Sequence, residues 1–153
     1  MKLQTSTMLA LYSVLEAASN PDKQVSAAEI AERYGVSAHH LAKVLRELGR
    51  AGLVDSARGV GGGYRFCGNA RRLTLMDVIE RFENIGARSP ESGEPRTDVG
   101  RAIARVLQEV DEIAKATFHS ISIDTLLKIV ERGRQAQAAS AKSATATSTG
   151  VQR

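Results

Sequence analysis

The sequence predicts a mainly α-helical fold with one short two-stranded hairpin. Three observations lead there. Apolar residues recur at helical spacing through most of the first 133 positions, between recognisable cap and stop signals. Aromatic residues make up only 4% of the chain and Trp is absent, so Leu, Val, Ile and Ala must do the packing. A glycine cluster, Gly59 to Gly63, separates two short strand-like runs. At 153 residues, the expectation is one domain with an appended element.

The elements follow in order. Met8, Leu11, Tyr12 and Leu15 mark a first helix from Thr5 to Ser19, broken by Asn20-Pro21-Asp22. Ser26-Ala27-Ala28-Glu29 is a capping box: the Ser hydroxyl accepts from the Glu backbone and the Glu side chain reaches back. It opens a short helix that ends near Gly35. Ser37 caps a third helix with Leu41, Val44, Leu45 and Leu48 on one face, stopped at Gly52. Leu53-Val54 and Tyr64-Arg65-Phe66 read as strands. Thr74-x-x-Asp77 is a second box, opening a helix with Leu75, Val78, Ile79 and Phe82 inward.

From 86 to 96 the chain is polar and turn-rich, a loop. Val99, Ile103, Val106, Val110, Ile113 and Thr117 then alternate spacings of four and three. That is the 3.5-residue period of a coiled-coil seam, predicting dimerisation through a helix from Thr97 to Phe118. A last helix carries Ile123, Leu126, Leu127 and Val130 and ends at Gly133. Residues 134–153 contain almost no core former and are expected to be a disordered tail. The domains are thus 1–85, the loop 86–96, dimerisation helices 97–133 and the tail.

The glycine cluster is not a nucleotide loop. No Gly-Lys pair occurs in the chain, which excludes a P-loop. In the Gly-x-Gly-x-x-Gly register that starts at Gly59, the sixth position is Tyr64, and a strand follows instead of a helix. Two helices joined at Gly35-Val36, the second capped at Ser37, make a helix-turn-helix. The hairpin after it is then a wing. The predicted fold is therefore a winged helix-turn-helix with a long C-terminal dimerisation helix.

His39, Lys43, Arg46 and Arg50 lie opposite the leucines of the third helix, with His40 beside them near its N-terminus, where recognition helices meet base edges. A merely solvated basic face is the alternative. The charge distribution favours DNA. Between Arg33 and Arg72 there are eight bases and two acids, net +6, against +4 for the whole chain. Lys43, Arg46 and Arg50 are expected to hold phosphates and His39 and His40 to sit at base edges. Glycines at the wing tip, Gly61 and Gly62 among them, permit close approach to a groove, and Arg58 can enter the minor groove. A purely structural turn is the other reading of these glycines.

The stretch IAERYGVSAHHLAKVLRELGRAGLVDSARGVGGGYRF resembles the DNA-binding segment of the bacterial Rrf2 family of winged-helix regulators. The opening MKLQTS, the LTLMDVIERFE run and SISIDTLLKIV extend the resemblance over residues 1–133. It implies homodimers that bind a pseudo-palindromic operator in double-stranded DNA, usually as repressors. It also implies base contacts from Ala38, His39, His40, Ala42 and Lys43 and a minor-groove contact from Arg58. Ser37 at the helix start and Tyr64 at the wing base complete the expected DNA-binding set.

Cluster-binding members of that family place three cysteines in the loop before the long helix. Here the loop ARSPESGEPRTDVG has neither Cys nor His. No iron–sulphur cluster, other cofactor or metal is therefore expected, since iron in such sites needs thiolate ligands. The single Cys67 excludes a disulfide framework. It reads either as a small residue packed at a strand end or as a thiol switch beside Arg65, Arg71 and Arg72. No apolar run approaches membrane-spanning length, so a cytoplasmic protein is expected. No nucleophile–base pair suggests an enzyme. A winged-helix protein-interaction module that has lost DNA binding is the alternative function.

Overall fold

The computed structural model describes residues 2–57, 59, 62–86 and 97–148, with 141–148 described by backbone alone. Among the described residues, six helices and one hairpin follow in chain order: α1 (Thr5–Ser19), α2 (Ala27–Tyr34), α3 (Ala38–Arg50), β1 (Val54–Ala57), β2 (Gly63–Phe66), α4 (Leu75–Ile79), α5 (Asp98–Ser120) and α6 (Ile123–Ser148). The mainly helical winged fold is as expected.

Helix α1 is the hub. It touches α3, α4, β2 and α6, and its buried residues are Thr7, Leu9, Ala10, Leu11, Ser13, Val14 and Ala17. Met8, Leu11, Tyr12 and Leu15, whose spacing marked this helix, are not its buried face: three of these four are only half-buried. The reason is that α1 is surrounded on most sides. Its small residues Ala10, Ser13 and Ala17 then allow neighbours to approach closely, and the Ser13 hydroxyl donates to the Leu9 carbonyl at 2.7 Å. Leu41, Val44, Leu45 and Leu48 of α3 and Met76, Val78 and Ile79 of α4 complete the core around it.

Helix α2 forms through the capping box: Glu29 N donates to Ser26 Oγ at 3.0 Å and Ser26 N to Glu29 Oε2 at 2.9 Å. It ends at Gly35, whose φ of 61° is the left-handed conformation a glycine adopts without strain. A polar tie joins α2 to α1. The Glu16 carboxylate accepts from Arg33 and from the Tyr34 hydroxyl, and the Tyr34 and Tyr12 rings stack at 4.3 Å. Burial opposes the Glu16 charge, but these hydrogen bonds outweigh it and hold the carboxyl below its ordinary range.

Strands β1 and β2 pair antiparallel from Val54–Phe66 to Ala57–Gly63. Leu53 was expected inside the first strand. It closes the turn after α3 instead, donating its N–H to the Leu48 carbonyl and accepting from Cys67 N, both at 3.0 Å. Helix α4 opens with the Thr74–Asp77 box but is only five residues long, so Phe82 is half-buried in the turn beyond it.

Helix α5 starts at a Thr97 cap, where Thr97 Oγ1 accepts from Gly100 N at 3.1 Å. Gly100 is buried and Ala104, Leu107, Asp111, Ala114 and Phe118 are half-buried. This side of α5 faces the domain, through contacts with α4. Its C-terminal end is pinned by backbone bonds: Leu75 N to Ile121 O at 2.9 Å, Ile123 N to Leu73 O at 2.8 Å, and Asp124 N to Ala70 O at 2.9 Å.

Two expectations about the C-terminus are corrected. Helix α6 does not end at Gly133 but runs to Ser148, so the tail is helical over 134–148; residues 149–153 lie outside the described residues. Gly133 is not among the glycines with positive φ. Within a helix it costs about 1 kcal/mol relative to Ala, and the Arg, Gln and Ala that follow it are good helix formers. The expected lack of packing does hold from 131 to 140, where every side chain is exposed.

Ile123 is fully buried where the α5–α6 junction meets the segment before α4. Ile123→Ala should lower unfolding free energy by about 2–5 kcal/mol in denaturant titration, through the lost methyl groups and the cavity left behind.

Candidate nucleic-acid interface

Amphipathicity divides α3 cleanly. Its four aliphatic side chains are buried, while Ala38, His39, Ala42, Lys43, Arg46 and Arg50 are all exposed. Ser37 is also exposed, and its Oγ caps the helix by accepting from His40 N at 3.1 Å. Lys43 and Arg46 have no ion-pair partner among the described residues, whereas Arg50 sits 3.4 Å from Glu47 Oε2 on a solvated surface. Such an exposed pair is worth little, so Arg50 is free to exchange Glu47 for a phosphate.

The two histidines differ. His39 is exposed, but His40 is half-buried and its Nε2 lies 3.3 Å from Ser6 Oγ. The His40 ring thus ties the start of α3 to the start of α1 and is not presented outward as His39 is. Ser6 is a residue that sequence reasoning missed. It lies 34 positions from His40, and no local pattern signals the contact.

A cleft of about 450 Å³ separates α3 from the hairpin, lined by Ala42, Arg46, Gly49, Asp55, Ser56 and Tyr64 among others. The recognition helix and the wing base therefore share one concave surface. Asp55 and Arg65, both exposed, are register partners across the strand pair. Tyr64 lines this cleft but is half-buried.

Arg58 and Gly61 of the expected set lie outside the described residues. Gly62 N donates to Gly59 O at 3.0 Å, closing a turn, and Gly59 has φ 107°, which favours glycine. Gly63 has another reason to be glycine. A Cβ there would lie 2.7 Å from the Val25 carbonyl oxygen, so the close approach at this position is to the chain's own backbone.

Cys67 is exposed, and its thiol donates weakly to the Arg65 carbonyl at 3.6 Å. The reading as a packed strand-end residue therefore fails. Among the described residues, no group of three or more His, Cys, Asp or Glu side chains could hold a metal ion. Nor is any helix there long and apolar enough to cross a membrane.

Comparison with known proteins gives this geometry a context. The profile of the Rrf2 family, described as an iron-dependent transcriptional regulator, matches residues 3–130. The HTH-type transcriptional regulator BadM of Rhodopseudomonas palustris is 52% identical over 135 residues, covering 88% of this chain and 86% of BadM. Among solved structures, CymR, the global cysteine regulator of B. subtilis, superposes with a TM-score of 0.69 at 26% identity, covering 84% of this chain and 98% of CymR. T. potens IscR does so with a TM-score of 0.70 at 27% identity, covering 87% of this chain and 90% of IscR.

The two histidines should separate by substitution. His39→Ala is expected to leave stability within about 0.5 kcal/mol of wild type, as exposed substitutions do. It should nevertheless reduce preference for a duplex selected from random DNA over an unselected one. His40→Ala should cost about 0.5–1.5 kcal/mol of stability through the lost Ser6 contact. Thermal denaturation together with fluorescence anisotropy on both duplexes checks the pair.

Proposed function

The chain belongs to the Rrf2 family of transcriptional regulators, and we propose that it acts in the cytoplasm as a homodimeric repressor of genes behind a pseudo-palindromic operator. It is a DNA-binding regulator and not an enzyme. The observation that carries the DNA-contacting roles is the split of α3, with its aliphatic side chains buried and Lys43, Arg46 and Arg50 exposed on the other side, beside the wing cleft. Ser37, Ala38, His39, Ala42 and Lys43 meet the major groove. Lys43, Arg46 and Arg50 neutralise phosphates, and Arg58, with Gly61 and Gly62 beside it, serves the minor groove. His40 supports this surface through Ser6.

The dimer reading rests on α5. Val99, Ile103, Val106, Val110 and Ile113 are 52–69% exposed, and they form one stripe beside the face that packs on the domain. Scattered exposed aliphatics are ordinary on a monomer, but a continuous seam of this kind marks an interaction surface. Its 3.5-residue period suits a second copy of the same helix. Dimerisation presents two α3 ridges to successive turns of the duplex, and operator symmetry follows from that of the protein.

A cluster does not fit the donor set. Cys67 is the only thiol in 153 residues, and it is exposed at the wing base. Iron–sulphur clusters are held by several thiolates, and the loop 86–96 offers neither Cys nor His. We therefore propose that this member of a family described as iron-dependent works without a cluster.

Replacing Val106 and Val110 together by Asp should put unpaired charge in the seam. The variant should sediment as a folded monomer and lose operator affinity, while wild type sediments as a dimer at micromolar concentration. A monomeric wild type would remove the basis of the proposal. For the cofactor, protein purified without oxygen should be colourless and free of stoichiometric iron, and iron chelators should not change its DNA affinity. Visible absorbance with stoichiometric iron and sulphide would refute the cluster-free reading.

A further inference from the structure

We infer that Gly63 and the backbone at Val25 form a latch that sets the angle of the wing, making Gly63 a positioning residue for DNA recognition. The inference rests on the DNA-binding reading above. Strand β2 is paired on both sides. One neighbour is β1, and the other is a single residue of the loop between α1 and α2, where Val25 N donates to Tyr64 O and Tyr64 N donates to Val25 O, both at 2.9 Å. A two-stranded hairpin alone is marginal in water, and its direction is poorly determined. A third point of pairing fixes that direction.

Gly63 is what lets the third point close. Its φ is not positive, so the requirement for glycine is steric and not conformational. A Cβ would lie 2.7 Å from Val25 O, 3.0 Å from Val25 C and 3.3 Å from Gln24 Cβ. The nearest of these atoms is a backbone oxygen already engaged with Tyr64, so it cannot move aside without loosening the bridge. The Val25 side of the latch is held in turn, because the next residue, Ser26, is locked into the α2 cap by Glu29. The wing base is therefore tied to the start of α2, the first helix of the helix-turn-helix.

The consequence is a lever. The chain between Ala57 and Gly63 can extend up to about 10 Å beyond the latch. A rotation of about 20° at its base would displace its end by about 3 Å, half the width of a minor groove of roughly 6 Å. Losing the latch should therefore cost the contribution of the wing to sequence preference and spare the phosphate contacts of α3.

The test compares wild type, Gly63→Ala and Val25→Ala on a duplex selected from random DNA by the wild-type protein and on an unselected duplex. Val25→Ala keeps both backbone bonds and should bind like wild type. Gly63→Ala should lose about tenfold on the selected duplex, the scale of one mismatched base pair. On the unselected duplex it should change by less than about twofold, because the phosphate contacts that supply non-specific affinity are retained. Its Tyr64 amide should also exchange with solvent faster than in wild type.

A folded Gly63→Ala that binds the selected duplex as wild type does, or weakens equally on both duplexes, would overturn the inference. Should that variant fail to fold, wild-type exchange decides: a Tyr64 amide as fast as an exposed loop would also overturn it, and one as slow as the β1–β2 amides would support it. A wild-type protein with no salt-dependent DNA binding at all would strike the DNA-binding reading instead, which distinguishes the two failures.

Discussion

The structure depends on the burial of α1. A helix that meets neighbours on most of its circumference cannot be amphipathic in the usual sense, and this one alternates large and small side chains. Leu9, Leu11 and Val14 fill space, while Ala10, Ser13 and Ala17 let other elements come close. Each element that carries function is then placed by what it puts against α1. Helix α3 buries its leucine face there, which turns the basic ridge outward. Strand β2 also touches α1, and α6 packs on it as well. Interiors are close-packed and transmit displacement. A change in the middle of α1 would therefore shift the ridge, the wing and the long helices together.

Much of this was legible in the sequence where signals are local. The Ser26–Glu29 and Thr74–Asp77 boxes, the Ser37 cap and the helix end at Gly35 are set within four residues of themselves, and the structure places all of them as expected. The ridge of α3 was legible for the same reason, because one helical period separates its buried and exposed positions. Opposite faces of a short helix follow from spacing alone.

What was not legible is long-range. No pattern in the loop after α1 announces that Val25 will pair with Tyr64, since a single residue has no period. The glycine cluster was noticed, but its residues were read together, as an adaptation for approaching DNA or else as a purely structural turn. The structure separates them: Gly59 answers a turn, and Gly63 answers the backbone of Val25. The buried side of α1 was not legible either, because it includes the small residues Ala10, Ser13 and Ala17, which matter to packing only when a helix is enclosed. His40 was expected at base edges with His39 for its place near the N-terminus of α3, although adjacent helical positions point about 100° apart. One of the two meets Ser6 and the other meets solvent.

The connection between dimer and DNA follows from where α5 is anchored. Its exposed stripe occupies the N-terminal two-thirds of the helix, while its C-terminal end is bound through Ile121 and Ile123 to the segment at Leu73 and Leu75. That segment follows β2 closely in the chain and leads into α4, which packs on α1. A second copy seated on the stripe would thus grip a helix that is joined, through backbone hydrogen bonds, to the segment between the wing and α4. The distance between two recognition helices in the proposed dimer is then a property of packed backbone. A flexible linker would leave that distance broadly distributed, and simultaneous engagement of two half-sites would lose effective concentration accordingly. Rigid attachment concentrates affinity on operators of one spacing and removes it from others. In the proposed dimer, operator spacing would then rest on the short stretch from Ala70 to Leu75, where backbone bonds join the α5–α6 junction to the domain.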